Sequence, residues 1–441
     1  MSEMEAVDEV ISRVDALTRL EPREGISFFS LDWVPKRETN AAPIVVDYNR
    51  NPRGLEFKGR NSMPVNLEDA LSPRGKRLSF HQYLARSIMR EVTPDIQSLR
   101  GSNVLFLCDP LAFTGLGNND YYTQSVKVLL GGITAWAVLK PRDVYISRGR
   151  LPNETELPLE NFPWQQCRNT RRSERLNPDS SQVTPDLSKV SFVLNYGGTA
   201  DDLDPSYLNR FKVVNASRIS SNCAVSKSDC HTAVEEVCVE LGLPRKMFTP
   251  EFYVTSADVE EVRTAVEALA RQGFMPLVKC DQYGLGGSVI AVPHPEDLEK
   301  KVRETGKMSL AGHQLATNLK GRDGGGYVLP FTTVLVEGGV NKRTLNLGSM
   351  AERGFDVVPL VARTSEGTFD IASCGYRVAR YPLMADGRGW NSNDASERGL
   401  FGQDSTLGLS ALEQSYMRLG TKVTGLALLR LSNKVNSNGH T

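Results

Sequence analysis

The sequence lacks an excess of charge of either sign, because its 52 basic residues are matched by 52 acidic ones. Nucleic-acid and anionic-membrane partners usually require a basic surplus, so the composition argues against both. No apolar run approaches the roughly 18 residues that a membrane-spanning helix needs. The seven cysteines are odd in number and include no C-x-x-C pair, and the five histidines form no H-E-x-x-H motif. These absences predict a reduced, cytoplasmic protein without a structural zinc site.

The N-terminus lacks the basic stretch and apolar core of a secretory signal. Its sequence, MSEMEAVDEVISRVDAL, instead combines acidic residues with an apolar stripe, which predicts an amphipathic helix over residues 1–20. Motifs of catalytic serine are missing as well. The sequence has no G-x-S-x-G and no Ser-His-Asp arrangement, so a hydrolase has little support.

The order of apolar segments predicts an α/β (α+β) protein. A length of 441 residues favours roughly two or three domains. Between residues 100 and 220, short apolar runs such as Val104–Cys108 alternate with helical patterns, which predicts an open, mostly parallel sheet. The polar residues 164–186 predict an exposed loop or insertion. The predicted segments are 1–98, a helix and an irregular region; 99–220, the open-sheet domain; 221–305 and 306–432, two α+β units; and 433–441, a polar tail.

Helix and strand signals continue through the second half of the chain. Lys227–Leu241 is amphipathic and is followed by Gly242, a frequent helix stop. The other elements that concern the argument are a strand (Glu251–Thr255), a helix (Ser256–Arg271) capped by Ser256, a late helix (Ser405–Leu419) and a final strand (Val423–Leu431).

The stretch PLVKCDQYGLGGSVIAV, residues 276–292, has a lysine within one apolar run, then three glycines, then a second apolar run. A Walker A loop requires GxxxxGK followed by Ser or Thr, and the sequence contains no such match. A Rossmann loop precedes a helix, whereas these glycines precede a strand. A kinase glycine loop has its lysine on the following strand, whereas Lys279 lies before the loop.

Two interpretations of this hairpin stay open from the residues alone. Glycines at a hairpin tip allow positive φ without any ligand. However, Lys279 lies in an apolar run that is predicted to be buried on both faces, and a buried lysine without a counter-anion is costly. A phosphate is therefore one candidate for that anion.

An ordered set of features surrounds the hairpin. One lysine opens a helix that ends in a Gly-x-Pro turn, a second lysine lies on a strand, the glycine hairpin follows, and a later apolar strand ends in a glutamate. This order resembles the ATP-grasp superfamily over roughly residues 190–345, and the layout is most similar to the peptide ligases of the pheganomycin type. The residues that carry the resemblance are Lys227, Gly242, Pro244, Lys279, Gly284–Gly287 and Val334–Glu337.

The resemblance implies a pre-ATP-grasp open-sheet domain followed by an ATP-grasp fold, whose two α+β subdomains clasp the nucleotide. It implies an ATP-dependent carboxylate–amine ligase that forms an amide or peptide bond through an acyl phosphate, with Mg²⁺ bridging the phosphates. Two lysines would contact the α- and β-phosphates, the hairpin loop would close over them, and the strand glutamate with the following backbone would bind adenine. The cofactor-binding residues implied are Lys227, Lys279, Gly284, Gly286, Gly287, Ser288, Glu337, Gly338 and Val340.

The C-terminal third departs from the family pattern, which leaves the metal ligands unknown. Family members have an acid on one strand and Glu-x-Asn on the next, which together hold Mg²⁺. The best-placed predicted strand, Leu426–Lys434, has Leu, Arg or Ser where the acid should be. Acids elsewhere, without the expected spacing, are Glu366, Asp370, Asp386 and Asp394.

Arginines crowd this same region. Arg377 and Arg363 are candidate catalytic residues that would clamp a substrate carboxylate or an acyl phosphate, because guanidinium binds such groups bidentately. Solvated arginines at strand edges are the simpler alternative. Trp390 either lines a pocket or anchors a loop, and the sequence does not distinguish the two.

Three functional classes follow. The first is the ligase, with a small-molecule carboxylate and an amine, such as an amino acid or a peptide, as substrates. The second is a non-catalytic ATP-grasp relative that binds nucleotide as a scaffold or regulatory partner, which the missing Glu-x-Asn favours. An α/β protein without a nucleotide site is the third. Many ATP-grasp relatives form homodimers, so the oligomeric state stays open.

Overall fold

The computed structural model describes residues 2–22, 26, 28–49, 92, 96–108, 140–148, 158–169, 176–196, 210–214, 225–256, 258–281, 289–305, 308–309, 315–320, 326–331, 333–345, 352–379, 381–386, 388–390, 395–400 and 409–438. Its α-helices are α1 (Glu3–Leu20), α2 (Lys227–Glu240), α3 (Val259–Arg271), α4 (Leu298–Thr305) and α5 (Ala411–Asn438). Its strands are β1 (Phe28–Val34), β2 (Ile44–Asn49), β3 (Asn103–Cys108), β4 (Val144–Arg148), β5 (Gln165–Asn169), β6 (Leu176–Gln182), β7 (Val190–Tyr196), β8 (Lys212–Val214), β9 (Phe252–Ser256), β10 (Met275–Cys280), β11 (Ile290–Ala291), β12 (Met308–Ser309), β13 (Leu315–Lys320), β14 (Gly326–Phe331), β15 (Thr333–Gly339), β16 (Thr344–Leu345), β17 (Arg353–Arg363), β18 (Phe369–Ala379) and β19 (Ala395–Leu400).

The first half of the chain contains the predicted open sheet, in the strand order β6-β5-β4-β3-β7-β8. Strands β4, β3, β7 and β8 pair in parallel, which confirms the sequence-based expectation, whereas β5 and β6 add antiparallel pairs at one edge. In the described parts of residues 164–186, the prediction of a loop is therefore wrong, because they contain β5 and β6. Although this segment has few apolar residues, Trp164 at its start is fully buried. The Trp164 Nε1 donates a hydrogen bond to the carbonyl oxygen of Leu159 at 2.6 Å.

A second sheet, in the order β11-β10-β15-β9, is antiparallel. Alternate residues of a strand point to opposite faces. Val278 and Val336 lie on one face and pack in a core with Val262 and Leu269 of α3. The helix itself begins later than predicted, at Val259, because Asp258 rather than Ser256 accepts the N-terminal amide hydrogen bonds. A smaller antiparallel sheet contains β12, β13 and β14.

A third large sheet joins the beginning of the chain to its last third, in the order β19-β18-β17-β1-β2, with β16 paired to β17. The pairing is antiparallel throughout. One face packs a core of large apolar side chains, including Trp33 and Phe369, against α1, α2 and α5. Helix α1 forms as predicted, and Ser2 and Glu5 make reciprocal capping hydrogen bonds at its start. The opposite face of the sheet carries the charged residues described below.

The end of the chain differs from the prediction. The sequence pattern favours a helix over Ser405–Leu419 and a strand over Val423–Leu431, but a single helix, α5, runs from Ala411 to Asn438. Its middle is buried on all sides, so the apolar residues show no helical period, and a short unbroken apolar run is easily taken for a strand. No helix among the described residues combines the length and apolar character needed to cross a bilayer.

Close packing of α5 on the third sheet depends on Gly420. A Cβ at this position would overlap the Trp33 ring and would lie 2.8 Å from the Phe248 ring. Replacing glycine by alanine inside a helix normally stabilises it by about 1 kcal/mol. Here we expect Gly420→Ala to destabilise the protein by about 1–3 kcal/mol because of overpacking, as measured by urea unfolding. The matched control is Gln414→Ala on the exposed side of α5, and an unchanged or raised stability of Gly420→Ala would contradict this packing.

Candidate functional site

An open cleft lies where the sheet of β10 and β15 faces the sheet of β1, β2 and β17. The cleft is continuous with solvent. Among the residues that the structure describes, its lining includes four bases and four acids together with apolar side chains. The bases are Lys227, Lys279, Lys342 and Arg377, and the acids are Asp32, Asp47, Glu337 and Asp356.

The register of β10 and β15 brings Lys279 and Glu337 together. Lys279 lies opposite Leu335, and Glu337 lies opposite Leu277. Residues in these positions share one face of the sheet, so the lysine and the glutamate are diagonal neighbours. The Lys279 ammonium forms an ion pair with Glu337 Oε2, and the two side chains are only 6% and 1% exposed. Lys279 Nζ also donates to the carbonyl oxygen of Val46 at 3.3 Å.

Glu337 is held from the other side by α2. His231 Nε2 lies 3.1 Å from Glu337 Oε1, and His231 Nδ1 lies 2.8 Å from the hydroxyl of Tyr48. Burial alone would raise the pKa of Glu337, but the charge of Lys279 and the hydrogen bond from His231 outweigh it and lower the pKa to about 2. Burial raises the pKa of Tyr48 well above its usual range, so the phenol keeps its proton. His231 thus bridges the Tyr48 hydroxyl and the Glu337 carboxylate, with Nε2–H as the donor to Glu337.

Lys227 is positioned by the start of α2. Ser226 caps the helix, and Asp281, the residue after β10, accepts hydrogen bonds from the backbone N–H and the hydroxyl of Ser228 at 2.9 and 2.6 Å. Lys227 Nζ lies 3.3 Å from Asp47 Oδ1. Burial lowers the pKa of Lys227, but nearby carboxylates, Asp47 first, outweigh it and raise the pKa overall. The ammonium is therefore charged and points into the cleft.

A row of charges crosses the cleft face of the third sheet. Asp32 lies directly opposite Asp47, and Asp356 lies directly opposite Arg377. Arg377 Nη2 is 2.6 Å from Asp32 Oδ2 and 3.3 Å from Asp356 Oδ2. Lys342 Nζ is 2.9 Å from Asp356 Oδ1. Like charges directly opposite each other destabilise a sheet, so these acids depend on the neighbouring cations.

Most of the described candidates from the sequence come together in this cleft. Arg363 does not line it: seven residues, roughly 23 Å of strand, separate it from Asp356, and its Nε donates to the carbonyl oxygen of Gly367 at 3.2 Å. The glycine-loop candidates Gly284, Gly286, Gly287 and Ser288 lie outside the described residues. The candidates that do line the cleft are Lys227, Lys279, Glu337, Gly338, Val340 and Arg377.

Sequence reasoning missed the acids of the third sheet, along with Lys342 and the Tyr48–His231 pair. A signal for the acids exists, because each is the single charged residue within an otherwise apolar or uncharged stretch: FFSLDWV, IVVDYN and FDVVPLVA. A carboxylate in a buried strand requires a partner. The identity of that partner is not visible in the sequence, because Asp356 and Asp32 belong to distant segments that pair only in the folded sheet.

The acids considered as metal ligands are engaged elsewhere. Glu366 pairs with Arg19, and Asp386 pairs with Arg388. Asp370 Oδ2 lies 3.1 Å from Arg418 Nη2, while Asp394 falls outside the described residues. Within the part of the chain that the structure describes, no group of three potential ligands is arranged to hold a metal ion. We therefore assign no residue to Mg²⁺.

The lining of the cleft combines charged and apolar side chains, as a site for a nucleoside triphosphate would require. Two buried ammonium groups, those of Lys227 and Lys279, lie at one end, and anions are bound in proteins by such groups. Apolar side chains, among them Leu277, Val289 and Val340, occupy the same cleft. Charged and apolar surfaces in one pocket match a ligand that combines phosphates with a flat, weakly polar base.

Comparison with known proteins supports the fold. No family model matches the sequence, and no curated protein matches it. A gamma-glutamylcysteine synthetase-like protein from Methylobacillus flagellatus KT is 15% identical with a TM-score of 0.55, and the match covers 97% of this chain and 94% of that one. D-alanyl-alanine synthetase A from Vibrio cholerae O1 biovar eltor is 12% identical (TM-score 0.34; 72% and 79% covered). A glutathione synthetase-like effector from Globodera pallida is 10% identical (TM-score 0.36; 86% and 83% covered).

The Methylobacillus protein, the one of these three with a TM-score above 0.5, belongs to the ATP-grasp superfamily. At 15% identity the likeness to the Methylobacillus protein concerns the fold alone, and it extends over nearly the whole length of both chains. The mixed α/β architecture with several sheets is thus the ATP-grasp type of fold that the sequence resemblance implied.

The lowered pKa of Glu337 makes a prediction about acid unfolding. A carboxyl with a folded-state pKa of about 2 and a usual value of 4.5 contributes stability above pH 4.5, and this contribution is lost as the pH falls towards 2. The contribution at neutral pH is on the order of 3 kcal/mol. Glu337→Gln should therefore be far less stable than the wild type at pH 7 and approach it near pH 2–3, as measured by urea unfolding across this range.

The exposed Glu267 of α3 provides the control for this experiment. Glu267→Gln should change the unfolding free energy little at any of these pH values, since surface substitutions are usually within about 0.5 kcal/mol. A stability difference between wild type and Glu337→Gln that stays constant from pH 7 to pH 3 would contradict the ion-pair assignment.

Proposed function

We propose that this protein is an ATP-dependent ligase that joins a carboxylate to an amine. The observation that carries the proposal is the convergence of Lys227, Lys279, Glu337 and Gly338 in one open cleft, although they come from a helix and two strands that are distant in sequence. The ATP-grasp type of fold supports it. The order of these residues along the chain is also the one that the family resemblance implies.

The chemistry proposed is a two-step condensation. The substrate carboxylate attacks the γ-phosphorus of ATP, which gives an acyl phosphate and ADP. The amine then attacks the acyl carbon and displaces phosphate, so an amide, ADP, inorganic phosphate and a proton are the products. Lys227 and Lys279 would neutralise the phosphates, and such charge stabilisation together with positioning accounts for most catalysis of phosphoryl transfer. Gly338 and Val340 would contribute the wall next to the base.

Arg377 is the arginine proposed to act on the acyl substrate. It is the candidate whose guanidinium lines the cleft, and it already binds two carboxylates, Asp32 and Asp356. A substrate carboxylate would replace one of these contacts with similar geometry. Arg363 has no part in the proposal because it lies outside the cleft.

A second candidate function is a nucleotide-binding relative without turnover. The pairing of cleft charges favours it, because each described acid of the cleft contacts a cation of the protein. Mg²⁺ on a nucleotide usually takes one or two protein carboxylates. If the four acids of the cleft stay paired with the lysines and the arginine, Mg²⁺ has none of these carboxylates as a ligand.

The two lysines give the first test. Lys279→Met and Lys227→Met should each weaken ATP binding by roughly 10- to 150-fold, as measured by isothermal titration calorimetry, because each removes a charged hydrogen-bond donor to phosphate. Lys279→Met combined with Glu337→Gln removes both charges of the buried pair and serves as the variant of choice if Lys279→Met alone unfolds. Lys300→Met on the exposed side of α4 is the control. Unchanged ATP affinity in folded variants of both lysines would overturn the site.

Turnover separates the two candidate functions. The ligase should release ADP only when a carboxylate and an amine are both present, which a coupled assay detects across a panel of amino acids and short peptides. ATP binding should also depend strongly on Mg²⁺. Tight ATP binding that is the same with and without Mg²⁺, with no ADP release across the panel, would favour the non-catalytic function and overturn the ligase.

A further inference from the structure

Trp390 lines the same cleft as Lys227 and Lys279. Along β10, Lys279 is four residues from Met275, which corresponds to roughly 13 Å of strand. Met275 lies opposite Gly339. The Trp390 ring packs at this position: a Cβ on Gly339 would lie 2.9 Å from the ring atoms Cε3 and Cζ3. The Trp390 ring and Lys279 therefore lie at different positions along the floor of the cleft.

The ring is held in place by its own loop. Trp390 Nε1 donates to the carbonyl oxygen of Met384 at 3.1 Å, and the backbone N–H of Met384 donates to the carbonyl oxygen of Arg388 at 3.0 Å. Asp386 accepts from both the backbone N–H and the guanidinium of Arg388. The polar edge of the indole is thus used inside the loop, and Trp390 remains among the side chains that face the cleft.

We propose that Trp390 forms the wall on which the base of the nucleotide stacks; this rests on the proposed function, since it assumes that ATP binds in the cleft. Apolar side chains from the other sheet, Leu277 and Val289, and Val340 beyond β15 line the same cleft. An aromatic side chain stacks on any nucleic-acid base, because every base has a π-face. The loop after β18 thereby contributes base affinity that the two lysines do not supply.

The arrangement favours a flat heteroaromatic group over a flexible acyl chain. The small Gly339 lets the Trp390 ring approach the backbone of β15 directly, which keeps the ring in one position. A rigid indole next to a strand backbone offers one ring face to a planar ligand. The phosphates of the same molecule would then extend towards Lys279 and Lys227.

The test compares two probes, ATP and inorganic tripolyphosphate, which share the phosphates and differ in the nucleoside. Trp390→Ala should weaken ATP binding by roughly 5- to 150-fold and leave tripolyphosphate binding unchanged, as measured by calorimetry. Trp390→Phe should keep most of the ATP affinity, because it retains an aromatic face. Tyr381→Ala, an exposed aromatic residue of the same loop, is the matched control and should bind both probes as the wild type does.

A fluorescence measurement completes the test. ATP should quench the tryptophan emission of the wild type, tripolyphosphate should not, and the quenching should disappear in Trp390→Phe, which also decides the matter if Trp390→Ala does not fold. Equal ATP affinity of wild type and Trp390→Ala, or quenching that persists in Trp390→Phe, would overturn this inference while the ATP site stands. A wild type that binds tripolyphosphate but not ATP would overturn it too, and a wild type that binds neither would overturn the proposed function together with it.

Discussion

The buried ion pair between Lys279 and Glu337 is the interaction on which the cleft depends. It joins β10 to β15, and through His231 and Tyr48 it connects these strands to α2 and β2. Breaking a buried pair by removing one partner typically costs about 3–5 kcal/mol, because a charge is left without compensation. Every member of this chain of contacts has a partner in the described structure. The network therefore fixes how the two sheets and the helix meet, and so it fixes the shape of the cleft.

The balance of charge in the cleft has consequences for any anionic ligand. Four described bases face four described acids, and each acid lies within 3.3 Å of a base. A polyphosphate entering such a site has to take over lysine contacts from carboxylates. The pair between Lys227 and Asp47, at 3.3 Å, is a single contact at the start of a helix, whereas Lys279 is held by Glu337 and by a backbone carbonyl. Moving Lys227 from its carboxylate to a phosphate therefore costs less free energy than moving Lys279.

Signals within a short stretch of sequence predicted the helices and strands that are determined by neighbouring residues. The capped helix α1, the helix α2 that ends before Gly242, and the parallel strands around β3 follow from periodicity, capping and turn residues. The prediction failed where tertiary burial overrides the local pattern. The apolar middle of α5 has no polar face because it is enclosed, and the polar stretch after Trp164 forms strands because it extends an existing sheet. Neither environment is encoded within a window of ten residues.

In the candidate site, too, individual residues could be predicted from the sequence but their contacts could not. The sequence predicted that Lys279 lies on a strand and that this lysine needs an anion as a partner. It also predicted that Glu337 lies at the end of a later strand. Their direct contact could not, because it requires the register of β10 against β15. The resemblance gives Glu337 a role in binding adenine, yet both of its carboxylate oxygens are engaged, one by Lys279 and one by His231. In the proposed complex, recognition of the base consequently belongs to Val340 and to the aromatic wall of Trp390, while Glu337 keeps the phosphate-binding lysine in position.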